Sequence, residues 1–267
     1  MMKTQIDKKT IADFGEQWTR YQDNSGFYGS QDLLADYLEP LFSPNDIEGL
    51  RVADIGSGSG RIVGMLLDAG AKHVVAVEPS DAFYVLSANM AANSEQVTLL
   101  HAPGDELRVD EPLDLVISLG VLHHIADPKP TVRAARAALK PGGKMIAWLY
   151  GKEGNELYLA VVEPLRKVTS VMPHSLLSGF CYVADLIVMV YAQLCRWLPL
   201  PMRNYVSEIY GKLAADKRRL VIYDQLNPAY AKYYTRAEAL ALLEENGFNN
   251  VRVHQRHGYS WTVIGDA

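Results

Sequence analysis

The chain has 267 residues, 49% of them hydrophobic and 21% charged, with a formal net charge of -5. That length and balance suffice for one large α/β core with an inserted subdomain, and the acidic surplus argues against broad electrostatic capture of nucleic acid. The two cysteines, Cys181 and Cys195, lie in an apolar segment, which predicts buried thiols in a reducing compartment and leaves neither a disulfide framework nor a zinc site.

Met1 to Thr10 carries lysines but no apolar run of signal-peptide length, so a cytoplasmic location is expected. Residues 1–47 form a segment ahead of the regular pattern. It holds Phe14, Trp18 and Tyr21, followed by Phe27 and Tyr28, aromatics at mixed helical spacing.

From Arg51 to Tyr150 apolar strands alternate with helical stretches, the pattern of a parallel sheet covered on both faces. Val52 to Ile55 reads as a short strand, Ile62 to Ala69 as the helix after it, and Val74 to Val77 as the next strand. Ser80 or Asp81 caps a helix running to about Asn93. Val97 to Leu100 is a third strand and Leu113 to Leu119 a fourth. Asp127-Pro128 opens a helix, with Asp in the capping place and Pro at the first helical position, and Lys140-Pro141-Gly142-Gly143 stops it. Lys144 to Tyr150 is a fifth strand.

After Gly151 the alternation gives way to helical and tyrosine-rich segments, predicting an insertion over residues 151–230. Lys217-Arg218-Arg219 reads as a solvated helix face. Thr235 caps a further helix with Glu238 in a capping box, and Gly247 ends it. Val251 to Gln255 and Tyr259 to Ile264 then form a hairpin around His257-Gly258. The core is thus residues 48–150 plus 231–267.

The strongest chemical signal is positional. Asp54 closes a strand, Gly56, Gly58 and Gly60 follow at alternate positions, and a helix begins directly, so the backbone turns tightly and approaches a ligand without side-chain interference. Such a turn alone also serves nicotinamide or flavin cofactors. Glu78 ends the next strand, 24 residues after Asp54, where a carboxylate accepts hydrogen bonds from both ribose hydroxyls of an adenosine. The seven histidines include no pair at metal-ligand spacing beside a carboxylate, so no metal is expected.

Four blocks make the chain resemble the class I, Rossmann-like S-adenosylmethionine-dependent methyltransferases. They are Val52 to Arg61, Val75 to Ser80, Leu113 to Ile125, and Leu139-Lys140-Pro141-Gly142-Gly143, in the expected order. The resemblance implies a seven-stranded sheet of order 3-2-1-4-5-7-6 with the last strand antiparallel. It implies S-adenosylmethionine as cofactor, with Gly56, Gly58 and Gly60 under its methionine portion, Asp54 near its amino group and Glu78 on the ribose. Ser118, Leu119 and Gly120 would border the reactive methyl. Asp105 is the chosen adenine-binding acid, although Ala102 to Glu106 aligns in more than one register. Asp114 is implied to be structural.

In related enzymes the segment before the core folds over the cofactor as a lid, which makes Trp18 and Tyr21 candidate contacts; packing on the core is the competing reading. His123 and His124 follow the fourth strand, where the acceptor must arrive, and either is a candidate base, while His124 also fits a loop-packing role. Asn227-Pro228-Ala229-Tyr230 is a loop before the last helix. The insertion is expected to cap the acceptor pocket, with tyrosines 205, 210, 223, 230, 233 and 234 either lining it or packing the cap.

Within the insertion, Leu186 to Cys195 is an apolar run shorter than the roughly 20 residues a membrane span needs. Three readings stay open for it: a buried cap helix, a homodimer contact, or a surface meeting lipid or a hydrophobic acceptor. The expected function is methylation of an oxygen or nitrogen of a small or lipid-like metabolite, with no nucleic-acid partner. An RNA or protein methyltransferase, or a non-catalytic cofactor-binding protein, are the alternatives.

Overall fold

A computed structural model describes residues 2–267, with side chains from residue 5 onward; Met1, the first residue of the N-terminal segment, lies outside the described residues. Seven strands form one sheet: β1 (Arg51–Ile55), β2 (His73–Val77), β3 (Val97–Leu100), β4 (Leu113–Leu119), β5 (Leu139–Tyr150), β6 (Asn249–Arg256) and β7 (Ser260–Asp266). Their order is β3-β2-β1-β4-β5-β7-β6, with β7 antiparallel to both neighbours and the first five strands parallel. This is the sheet the resemblance implied.

Period-two alternation sorts the strand residues between two cores. Val52, Val74, Leu115, Ile117 and Ile146 belong to one, where α2 (Gln31–Leu38) and α3 (Arg61–Asp68) cover the sheet with Leu34, Leu38, Val63 and Leu66. Ala53, Val75, Val116, Met145 and Val263 belong to the other, where α5 (Lys129–Ala138) and α10 (Arg236–Glu244) contribute Val132, Ala135, Leu242 and Leu243.

Two boundaries differ from the sequence reading. Helix α5 starts one residue later than Asp127-Pro128 suggested, with Pro128 in the capping place and Pro130 in its first turn. The Lys140 to Gly143 stretch belongs to β5, because Leu139 pairs with Leu113 and Lys144 with Leu115 across a bulge. The helix after β2, α4 (Ala82–Asn89), breaks at Met90 into a short 3-10 turn. Asp114 is structural: it accepts from the Arg51 backbone N–H at 2.7 Å and pairs with Lys140.

The N-terminal segment is α1 (Met2–Arg20), and the insertion folds as α6 (Glu156–Thr169), α7 (His174–Cys195), α8 (Arg203–Glu208) and α9 (Ala215–Leu226). Val162, Leu177, Cys181, Tyr223 and Leu226 make a separate small core among α6, α7 and α9. Helix α1 and the turn after it are tied to the insertion by specific polar contacts: Gln17 donates to Asp224 at 3.0 Å, Asn227 donates to the Asp13 carbonyl at 3.2 Å, and Lys217 pairs with Asp23 at 2.9 Å. The sequence reading of Lys217 to Arg219 as a solvated face is therefore corrected. Lys217 is buried, and Arg218 pairs with Asp185 at 2.8 Å.

Thr235 caps α10 and Glu238 answers its backbone in a complete capping box. Thr235→Ala is expected to lower the unfolding free energy by about 1 kcal/mol, read from urea unfolding; an unchanged midpoint would contradict this role.

Candidate functional site

The strands β1, β2, β4 and β5 all end at one edge, where parallel sheets leave a crevice for ligands. A cavity of about 440 Å³ lies there. It is lined by the strand ends Ile55, Glu78, Leu119 and Tyr150, by the turn Gly56 to Ser59, and by α1 through Phe14 and Trp18.

The turn after β1 is built on left-handed backbone. Gly56, Gly58 and Gly60 have φ of +81, +53 and +89°, which side-chain-bearing residues rarely adopt. A Cβ at Gly56 would sit 2.4 Å from Val121, and one at Gly58 would sit 3.3 Å from the Trp18 ring nitrogen. Gly60 differs: its absent Cβ leaves room for Leu86 and Met90, and it serves packing at the start of α3 rather than lining the cavity.

Glu78 locks this turn to the next strand. One carboxylate oxygen accepts the Gly58 N–H at 2.8 Å, and the other accepts both the N–H and the hydroxyl of Ser80, at 2.9 and 2.5 Å. Glu78 is buried yet reaches the cavity, and its remaining lone pairs are free for a ligand hydroxyl.

Asp54 sits behind the turn, 1% exposed, with one carboxylate oxygen lacking any partner. Burial pushes its carboxyl up to about 7, against the lowering pull of the Ser57 hydrogen bond and the Arg61 charge. Asp54 itself does not line the cavity; the turn Gly56 to Ser59 lies between, and Glu78 is the carboxylate that reaches it.

Asp105 lines the same end of the cavity beside Gly104, where a Cβ would meet Ile55 and Thr131 at 2.7 Å. Leu119 and Gly120 line it as well, whereas Ser118 lies beneath, its hydroxyl donating to the Ile55 carbonyl at 3.3 Å. Trp18 is in the cavity wall. Tyr21 is not, for its ring packs 6.1 Å from that of Tyr223.

The two adjacent histidines separate cleanly. His124 lines the cavity, and its Nδ1 lies 2.8 Å from the Tyr230 carbonyl, so Nδ1 carries the proton and donates. Its Nε2 keeps a lone pair with no partner, and burial lowers the group to about 4, leaving the ring neutral at physiological pH. His123 does not line the cavity. It is fully buried, its ring stacked 3.7 Å from Tyr150, and burial together with the neighbouring His124 holds it well below the usual histidine range.

The same cavity has an aromatic and charged part of its wall, a chamber that motif reading missed. Tyr37, Trp148, Tyr205 and Tyr259 line it, together with Asp224, Gln225, Arg61 and Arg256. Gln225 donates to the Tyr150 hydroxyl at 2.6 Å, and Tyr150 donates to Asp224 at 3.3 Å. Arg256 pairs with Asp36 and lies 4.6 Å over the Tyr37 ring. Of the six insertion tyrosines singled out above, Tyr205 alone lines the cavity among the described residues; Tyr210, for example, donates instead to Asp185.

Residues 53–147 match the family model described as a methyltransferase domain. The chain is 30% identical over 148 residues to a ubiquinone biosynthesis O-methyltransferase of Cereibacter sphaeroides, covering 51% of this chain and 55% of that one. It is 35% identical over 127 residues to a tRNA U34 carboxymethyltransferase of Pseudoalteromonas translucida, covering 47% and 38%. The chain thus spans about half or less of the length of these curated relatives. Among solved structures, the magnesium protoporphyrin IX methyltransferase of Synechocystis PCC 6803, with bound S-adenosylhomocysteine, aligns over 99% of this chain and 98% of its own, at a TM-score of 0.56 and 17% identity. At that identity the likeness concerns the fold.

The raised Asp54 carboxyl has a consequence for stability. Between its usual 3.8 and about 7 the folded state holds a proton that the unfolded state releases, so this group's contribution falls as pH rises through that window. Asp54→Asn is therefore expected to stabilise the ligand-free protein above pH 7, by at most about 4 kcal/mol, with the gain fading towards pH 4. Denaturant unfolding across that range measures it, and a pH-independent difference would contradict the assignment.

Proposed function

We propose that this chain, whose residues 53–147 match a methyltransferase domain and whose sheet has the order of that fold, is a class I S-adenosylmethionine-dependent methyltransferase that methylates an oxygen or nitrogen of a small or lipid-like metabolite held in the aromatic chamber. The observation that carries this reading is that a single cavity is lined by the glycine turn, by His124 and by the aromatic rings of Trp148, Tyr205 and Tyr259. The enclosed aromatic lining supports a small or apolar acceptor over a folded macromolecule.

When bound, S-adenosylmethionine supplies an electrophilic sulfonium methyl. Glu78 would hold the ribose hydroxyls and the backbone of Gly56 and Gly58 the methionine portion, with Asp54 behind that turn acting on the ammonium group through it, while Asp105 would face the adenine. Trp18 covers the turn and excludes water from it. The chain's main contribution is positioning, since alignment of two reactants is worth roughly 7–11 kcal/mol at best.

His124 is the proton acceptor in this reading. Its Nδ1–H is held by the Tyr230 carbonyl, which fixes the tautomer and leaves the unprotonated Nε2 of this cavity-lining ring without a partner. Burial makes it a weak base, so its effect belongs near the low end of the roughly 10²–10⁴-fold range for general bases. Asp224 and Gln225 would orient the acceptor through the Tyr150 hydroxyl, the group they already share.

Incubating metabolite extracts with methyl-radiolabelled S-adenosylmethionine, and following the label into an organic-soluble product, identifies the acceptor. His124→Ala is expected to lower turnover about 10²-fold with cofactor affinity nearly unchanged, and His123→Ala to act chiefly on stability. Full turnover in His124→Ala would remove it from this role.

A further inference from the structure

Away from the cavity, α6 and α7 carry an apolar surface that nothing in the fold covers. On α7, Leu176, Phe180, Val183, Ile187, Val190 and Leu194 recur every three or four residues, and all are exposed. On α6, Leu157, Val161 and Val168 are exposed in the same way. Trp197, just beyond α7, is 85% exposed. The reading of this stretch as a buried cap helix is therefore corrected: Leu177, Cys181, Asp185 and Cys195 are buried, and the opposite face is bare. Apolar faces of this extent on a globular chain mark an interaction site.

We propose that this face docks on an anionic lipid surface, with α7 lying in the plane of the interface. Charge selects this occupant. Between Lys167 and Arg203 the acidic side chain is Asp185, buried in its pair with Arg218, while Lys167, Arg196 and Arg203 are all exposed. From α7 to the start of α8 the exposed charges are thus all cationic, whereas on α6 the exposed Glu156 and Glu163 stand beside Lys167. Residues 151–230 hold nine Lys and Arg against seven Asp and Glu, in a chain of net charge -5. A second copy would bring cation against cation, whereas anionic headgroups would pair with them. Trp197 beside Arg196 joins an aromatic ring to a cation, as interfacial anchors do.

By length and composition α7 is apolar enough to cross a membrane, but its packing assigns it a surface position. Crossing would strip Leu177 and Cys181 from the core they share with Tyr223, and Asp185 from Arg218 and Tyr210. Lying flat keeps all of these. Helix α7 packs on α8 and α9, which supply Tyr205, Leu220 and Asp224 to the cavity wall. Docking would set the chamber one helix layer from the lipid.

Co-sedimentation of the full chain with phosphatidylcholine vesicles containing phosphatidylglycerol tests the proposal. The wild-type chain is expected to pellet with these vesicles, less so as salt rises, and its tryptophan emission to shift blue. Ile187→Glu combined with Val190→Glu is expected to lower the partition coefficient at least about tenfold, with an unchanged unfolding midpoint. Trp197→Ala, at an exposed site outside the helix, is expected to lower it severalfold and to abolish the blue shift. A wild-type chain that stays in the supernatant overturns the proposal, as do variants that partition like wild type. So does a concentration-dependent dimer that the Glu variants dissociate while vesicles bind nothing.

Discussion

The hydrogen bond from the Gly58 N–H to the Glu78 carboxylate is the constraint on which the site depends. It joins the turn after β1 to the end of β2, two parallel strands whose residues alternate between the two cores, and so fixes the backbone of Gly56 to Ser59 against the cavity. The left-handed φ values of Gly56 and Gly58 make that backbone possible. Glu78 is held in turn by Ser80, so the carboxylate is already oriented before any ligand arrives, and little ordering remains to be done on binding.

A second set of contacts closes the cavity from outside the sheet. Gln17 on α1 meets Asp224 on α9, and Asp224 meets Tyr150 at the end of β5, so the N-terminal helix, the insertion and the sheet converge on one carboxylate. Trp18, one residue from Gln17, then lies over Gly58. A change at Asp224 would therefore loosen both the cover over the turn and the wall of the chamber. Burial works against charge at Asp54, His123 and His124, raising the carboxyl and lowering both histidines.

The sheet and the turn were legible in the sequence because each is encoded locally. Val52 to Gly60 carries its strand, its acid and its glycines in one stretch, and Glu78 stands at the end of the next apolar run. The chamber was not legible, because Tyr37, Trp148, Asp224 and Arg256 come from four distant elements and share no spacing. The histidine pair was half legible: its place after β4 could be read, but which ring faces the cavity depends on the Tyr230 carbonyl, 106 residues away. Tyr21 has helical spacing suitable for the site, yet its side packs on Tyr223. Lys217 reads as a surface charge until Asp23 is brought to it by the turn after α1. The exposed face of α7 likewise could not be told from a buried one by composition, since both are apolar.

The cavity thus has two walls, a sheet edge with the glycine turn and Glu78, and a wall from α1 and the insertion with Trp18, Tyr205 and Asp224. The claim that the glycine turn and Glu78 form a donor site is tested most directly by calorimetric titration with S-adenosylhomocysteine, of the wild-type chain and of Gly58→Arg, whose side chain would fill the space beneath Trp18. Saturable one-to-one binding to the wild-type chain, lost in a Gly58→Arg protein that still unfolds cooperatively, is the expected result. Equal affinity in both, or no binding to either, would contradict it.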